Sequence, residues 1–140
     1  MTRDDLQSKL DVIRDNLEKL DRIPQAAETE FLSDFRNVDS ALYRLQTTLQ
    51  ALIDISALVV ARNGLAVSTS SRGVLEGLES AGRLPAGSAA RFGPLVGFRN
   101  RIVHLYDRVD PRIVYRILRE DRPDLEELLR LLLAGLPPRA

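Results

Sequence analysis

Apolar residues recur at alternating spacings of three and four along nearly the whole chain, as helices that bury one face require. Leu6, Leu10, Ile13, Leu17 and Leu20 form the first such stripe. Thr2 with Asp5 supplies a capping-box-like start, and Pro24 ends the helix. The second and longest helix carries Phe31, Phe35, Val38, Leu42, Leu45, Leu49, Leu52 and Ile53 toward a stop at Asn63-Gly64. The β-branched pair Val59-Val60 lies inside that helical pattern. The polar run Ser68-Thr69-Ser70-Ser71 offers a cap for a short third helix with Val74, Leu75 and Leu78, which stops at Gly82. A fourth helix starts near Pro85 or Ser88 and runs to about Arg108, with Gly93, Pro94 and Gly97 predicting a bend or irregular turn in its first half. Asp110-Pro111 restarts the chain as N-cap and first helical residue. A fifth helix carries Ile113, Val114, Ile117 and Leu118. Pro123 is expected to kink or break it, with Asp121 capping a continuation through Leu125, Leu128, Leu129 and Leu132 to Gly135. The tail from Leu136 to Ala140 is expected to fray. These long helices and short loops predict an all-α, up-and-down bundle of four to five helices, with residues 1–140 forming one domain.

Hydrophobic residues make up 44% of the chain and aromatics 5%, so the core is expected to be aliphatic. Lys+Arg and Asp+Glu balance at 20 each, which leaves no global basic field for nucleic acid; any such contact rests on a local cluster. Lysine occurs only at Lys9 and Lys19. The absence of cysteine removes disulfides, thiolate nucleophiles and cysteine-bound zinc, and one histidine rules out a multi-histidine metal site within one chain. No apolar run is long enough to span a bilayer, and the charged start from Arg3 to Asp5 lacks an apolar signal core. The expectation is a cytoplasmic protein without metal or cofactor.

That sole histidine lies in Arg99-Asn100-Arg101-Ile102-Val103-His104-Leu105-Tyr106, an R-x4-H-x-Y pattern. Histidine gains and loses protons near neutral pH, and arginine presents a permanent planar fork of donors suited to phosphate. The bland alternative is a packed or solvated helical histidine and an arginine tied to a neighbouring helix. On an ideal helix Asn100 and His104 share a face, as do Arg99 and Tyr106, whereas Arg99 and His104 lie ~140° apart. Either the long arginine stem brings them together, or two chains each supply a set across a two-fold axis. Cutting RNA with its own 2′-OH needs a base, an acid and charge stabilisation on the phosphate. One histidine per chain supplies one proton-transfer group; a symmetric dimer supplies two.

The segment Gly97 to Tyr106 resembles the signature of HepT toxins in the HEPN superfamily, including the asparagine after the arginine. The resemblance extends from Leu45-Gln46 through Ala51-Leu52-Ile53-Asp54-Ile55 and over the hydrophobic spacing from Asp110 to Leu118, covering roughly Leu6 to Leu132. It implies a metal-independent RNase toxin that works as a homodimer, with Arg99 and His104 as the catalytic pair and Asn100 as the polar neighbour. It also implies an MntA-type nucleotidyltransferase antitoxin as partner, which silences the toxin by transferring AMP to the motif tyrosine, here Tyr106. Arg101 and Arg108 add cations around the motif, as RNA phosphate contacts or as solvated side chains. Asp54, among Leu52, Ile53 and Ile55, either orients Arg99 or His104 or lies on the polar face of its helix. Tyr43 and Tyr115 read as core or interface packing, and the charges from Arg116 to Arg122 as a solvated face. A second reading from another class is a non-catalytic HEPN-like module that assembles with a nucleotidyltransferase without cutting RNA.

Overall fold

A computed structural model describes residues 3–105 and 108–138, and among these the regular structure is entirely helical. Helix α1 spans Arg3–Arg22, α2 Glu28–Leu32, α3 Phe35–Arg62, α4 Ser71–Ser80, α5 Ser88–Leu105, α6 Pro111–Arg116 and α7 Arg122–Ala134. A π-helical stretch, Ile117–Asp121, joins α6 to α7. Helix α3 is the axis of the bundle. It packs against α1, α4, α5, α6 and α7. Side-chain bonds fix the direction of its first neighbour. Lys9 meets Asp54, and Asn16 meets Thr47, so α1 and α3 are antiparallel.

Two of the predicted cap signals act through their side chains, whereas Asp121, expected to cap the continuation past Pro123, makes no side-chain capping bond. Ser70 accepts from the Gly73 N–H at 3.0 Å, and Asp110 from the Arg112 N–H at 2.9 Å. Gly64, with φ 65°, and Gly82, with φ 73°, take left-handed conformations just past α3 and α4. The capping pair Thr2–Asp5 is untold in its first member, since Thr2 lies outside the described residues. The core is continuous and mostly aliphatic, running from Ile13 and Leu20 of α1 through Leu45, Leu49, Leu52 and Ile55 of α3 to Leu125, Leu128 and Leu132 of α7.

Two boundaries differ from expectation. The long stripe that begins at Phe31 is not one helix: Phe31 belongs to the single-turn α2, and α3 restarts after Asp34, whose carboxylate accepts from the Arg36 N–H at 2.9 Å. The local cap outweighs the periodicity. Phe31 nonetheless stays fully buried, its ring centroid 5.3 Å from that of Tyr115. At Pro123 the chain does not break. The π-helical widening over Ile117–Asp121 absorbs the mismatch and leaves Pro123 in the first turn of α7, where its missing N–H costs little. Arg122 at this junction is not a free surface charge: its guanidinium grips Asp21 of α1 at 2.5 and 2.8 Å.

Helix α5 is continuous through Gly93, Pro94 and Gly97. Proline removes the donor that would bond the Ala90 carbonyl, but both residues are exposed, so water can take that carbonyl. At its start, the Glu79 carboxylate from α4 accepts the Ala89 N–H at 2.8 Å. Hydrogen bonds from the Ala89 and Gly87 backbone hold the Glu79 carboxyl below its ordinary value. No helix among the described residues is long and apolar enough to cross a membrane.

Candidate active site

The R-x4-H motif lies on the second half of α5, beyond the glycines and the proline. Phe98 and Ile102 of this stretch are buried and anchor the helix in the core. That anchorage leaves Asn100 and Arg101 exposed and Arg99 half-buried at the edge of α3. The Arg99 guanidinium donates through Nη1 to the Asn100 side-chain oxygen at 3.1 Å and through Nη2 to Oε1 of Gln50 on α3. Its Nε is buried and has no hydrogen-bond partner among the described residues.

The chain of contacts continues behind Gln50. The Gln50 Nε2 donates to Asp54 Oδ1 at 2.9 Å, and Asp54 Oδ2 pairs with Lys9 Nζ at 2.7 Å. One line of polar groups therefore runs from α1 through α3 to the motif arginine. Asp54 is partly buried but doubly partnered, which meets the requirement for burying a carboxylate. It reaches Arg99 through Gln50 rather than by direct contact.

The structure thus brings Arg99, Asn100 and Asp54 together. It sets Arg101 and Arg108 elsewhere. The Arg101 guanidinium lies 5.6 Å from the Phe98 ring centroid, and Arg101 and Arg108 border a separate cavity of about 160 Å³ with Val109 and Ile113. Arg101 follows Arg99 by two residues, which on a helix turns it ~200° away. Tyr106 lies outside the described residues, as does the side chain of His104, whose backbone belongs to α5. Among the described residues no three Asp, Glu, His or Cys side chains form a group that could hold a metal.

Gln50 and Lys9 are the members that the sequence did not single out. A glutamine four residues before an aspartate, between Leu49 and Ala51, was a visible pairing signal. That Gln50 faces Arg99, 49 positions away, depends on helix register.

The architecture is shared with solved proteins of one class. A crystal structure of a toxin–antitoxin with AMP-PNP superposes with a TM-score of 0.80 at 22% identity, covering 94% of this chain and 99% of that one. A MntA–HpeT toxin–antitoxin with a tyrosine-to-alanine substitution gives 0.81 at 22% identity, over 93% and 98%. A tri-AMPylated HEPN toxin of Shewanella oneidensis in complex with its MNT antitoxin gives 0.82 at 23% identity, over 95% and 99%. The fold is that of the HEPN toxins. No curated protein matches the chain. The family model Ribonuclease HepT-like matches residues 13–132, and the chain belongs to that family.

Proposed function

We propose that this protein is the RNase toxin of a two-component toxin–antitoxin system, cutting RNA without a metal in the cytoplasm. The observation that carries the reading is the clamped motif arginine: Gln50 and Asn100 hold the Arg99 guanidinium in place, five positions before the only histidine. A fixed guanidinium suits a phosphate whose charge grows as it is attacked. In the proposed reaction a base takes the proton of the 2′-OH, a new 2′-O–P bond forms, the P–O5′ bond breaks, and an acid protonates the leaving 5′ oxygen. His104 serves as one proton-transfer group, and a homodimer brings the second histidine to the same cleft. Asn100 steadies Arg99, and Asp54 supports it through Gln50. Arg101 and Arg108 contact phosphates away from the cut.

The proposed partner is an MntA-type nucleotidyltransferase antitoxin that places AMP on Tyr106. The added phosphate and nucleotide would occupy the arginine's anion site and the groove, so silencing acts by competition, with the fold intact. The support is the family membership and the resemblance of the fold to toxins solved with such antitoxins.

The test is cleavage of single-stranded RNA by the purified protein in EDTA. The expected result is products ending in a cyclic phosphate, and their disappearance in His104→Ala at unchanged helical content. Cleavage lost in EDTA and restored by magnesium would overturn the metal-free mechanism. Binding of an antitoxin with no cleavage under any condition would favour the non-catalytic module.

A further inference from the structure

We propose that the groove between α1 and α3 is a nucleotide subsite, which seats a base of single-stranded RNA beside the arginine that engages the scissile phosphate. The inference rests on the RNase reading above and adds where the substrate strand lies.

The groove holds about 350 Å³, within the range of small-molecule sites, and Lys9, Asn16, Tyr43, Arg44, Thr47 and Gln50 line it. One wall joins it to the candidate active site: Gln50 borders the groove and accepts the Arg99 hydrogen bond. Tyr43 marks the other end. It lies seven residues before Gln50 on α3, so the two share a face about 10 Å apart along the axis. That distance accommodates a nucleotide next to the one held at Arg99.

The chemistry of the walls fits a base and its sugar-phosphate. The sequence assigns Tyr43 to core or interface packing; it is 55% exposed in the single chain, so it is not core, and a large ring left to solvent at the mouth of a groove can serve as a stacking platform. The Arg44 guanidinium lies 5.5 Å from the Tyr43 ring centroid and gives that platform a cationic edge. Apolar surface, with Val12 and Ala51 in the lining, makes up most of the groove, and a polar set is built into one wall. Asn16 is 3% exposed, donates to Thr47 Oγ1 at 2.7 Å and accepts from Arg44 Nη1 at 3.1 Å. Arg44 Nε is buried without a hydrogen-bond partner among the described residues. The one carboxylate on this wall, Asp15, is matched by Lys19 at 3.0 Å and Arg44 at 3.4 Å. It therefore does not repel a phosphate. Lys9, still about one-third exposed, is matched by Asp54 at the Arg99 end, so the unmatched positive charge of the groove comes from the Arg44 side.

The test uses the full chain. Fluorescence anisotropy with a labelled single-stranded RNA reads binding without cleavage in the His104→Ala background. Adding Tyr43→Ala is expected to weaken binding about ten-fold, and Tyr43→Phe, which keeps the ring, to stay within about two-fold. In the active protein, Tyr43→Ala raises KM more than it lowers kcat. Affinity unchanged by Tyr43→Ala, with wild-type cleavage intact, overturns the subsite and leaves the RNase reading standing. A wild-type protein that neither binds nor cuts RNA brings down both. Light scattering that shows Tyr43→Ala turning a dimer into a monomer overturns the subsite too, since a second copy of the chain then covers the groove.

Discussion

Helices α3 and α5 both cross the centre of the bundle, and they are made in opposite ways. Helix α3 has no glycine or proline in 28 residues, and Leu42, Leu45, Leu49, Leu52 and Ile55 bury one regular stripe. Helix α5 contains Gly93, Pro94 and Gly97 in 18 residues, and its buried Phe92, Leu95, Val96, Phe98 and Ile102 face both α3 and α4 across an arc of about 160° on an ideal helix. The first would favour a helix by its own composition; the second depends on its neighbours. Even its glycine is occupied from outside: a Cβ at Gly93 would lie 3.3 Å from Arg72 Nη1 of α4. The lesson is a division of labour. The regular helix is scaffold, and the irregular one, held from several sides, carries the motif whose arginine α3 then fixes.

The sharpest test of that division is to alter each helix and read activity and stability separately. Arg99→Lys on α5 keeps the charge and loses the planar fork that bridges Gln50 and Asn100. The expected result is a fall in RNA cleavage of about 10²–10³ at an unchanged melting temperature, measured by initial rates and calorimetry. Leu52→Ala on α3 should do the reverse. Leu52 is fully buried, so the substitution costs about 2–5 kcal/mol in urea unfolding, while the protein that remains folded keeps its activity. A Leu52→Ala protein as stable as wild type would show that α3 is not the scaffold.

How far the sequence reveals each part follows the same division. Helix α3 was readable because burial on one face writes a period of 3.6 into the chain, and its end was readable because Asn63-Gly64 carries a cap chemistry. Its start was not, because the stripe runs unbroken through Phe31 and Phe35 and only the Asp34 cap separates two helices. On α5 the breakers predicted a bend or irregular turn; helical structure continues through them, since exposure of Ala90 and Pro94 lets water replace the lost bond. The pattern from Arg99 to Tyr106 stood out because it holds the only histidine. The support from Gln50 and Lys9 did not, because neither neutral glutamine nor an isolated lysine signals a partner on another helix. The pairing of Arg122 was also hidden, since a run of charges reads as a solvated face until Asp21 is seen opposite it.

Gln50 is where the two helices meet, so it tests whether α3 is scaffold alone. Gln50→Leu removes the acceptor for Arg99 and the donor to Asp54. Cleavage should fall about ten-fold, the equivalent of one well-placed hydrogen bond to a charged group. If Gln50 acts through Arg99, the loss disappears in an Arg99→Lys background, a non-additivity that rates from the double-mutant cycle measure. Full additivity would make Gln50 a packing residue.

The smallest effect is expected at the π-helical junction, far from the motif. Burial is the main cause that raises the Asp121 carboxyl above its ordinary value. The neighbouring charges of Asp124 and Glu120 add to it, and Arg116 works against it. The sign is opposite to that of Glu79. A raised carboxyl binds its proton more tightly in the folded chain than in the unfolded one, so the ionised form opposes folding. That penalty is present above the raised value and disappears as pH falls through it, whereas the stabilisation from Glu79 is present above the ordinary carboxylate value and is lost as pH falls through its lowered one. Asp121 makes no side-chain capping bond at the start of α7 that Asn would sacrifice. Asp121→Asn should therefore raise the melting temperature slightly at pH 7. The gain should shrink as the pH falls from 7 through the raised value of the wild-type carboxyl, and RNA cleavage should not change. A gain that does not vary with pH would assign the effect to packing at the junction rather than to the partly buried charge.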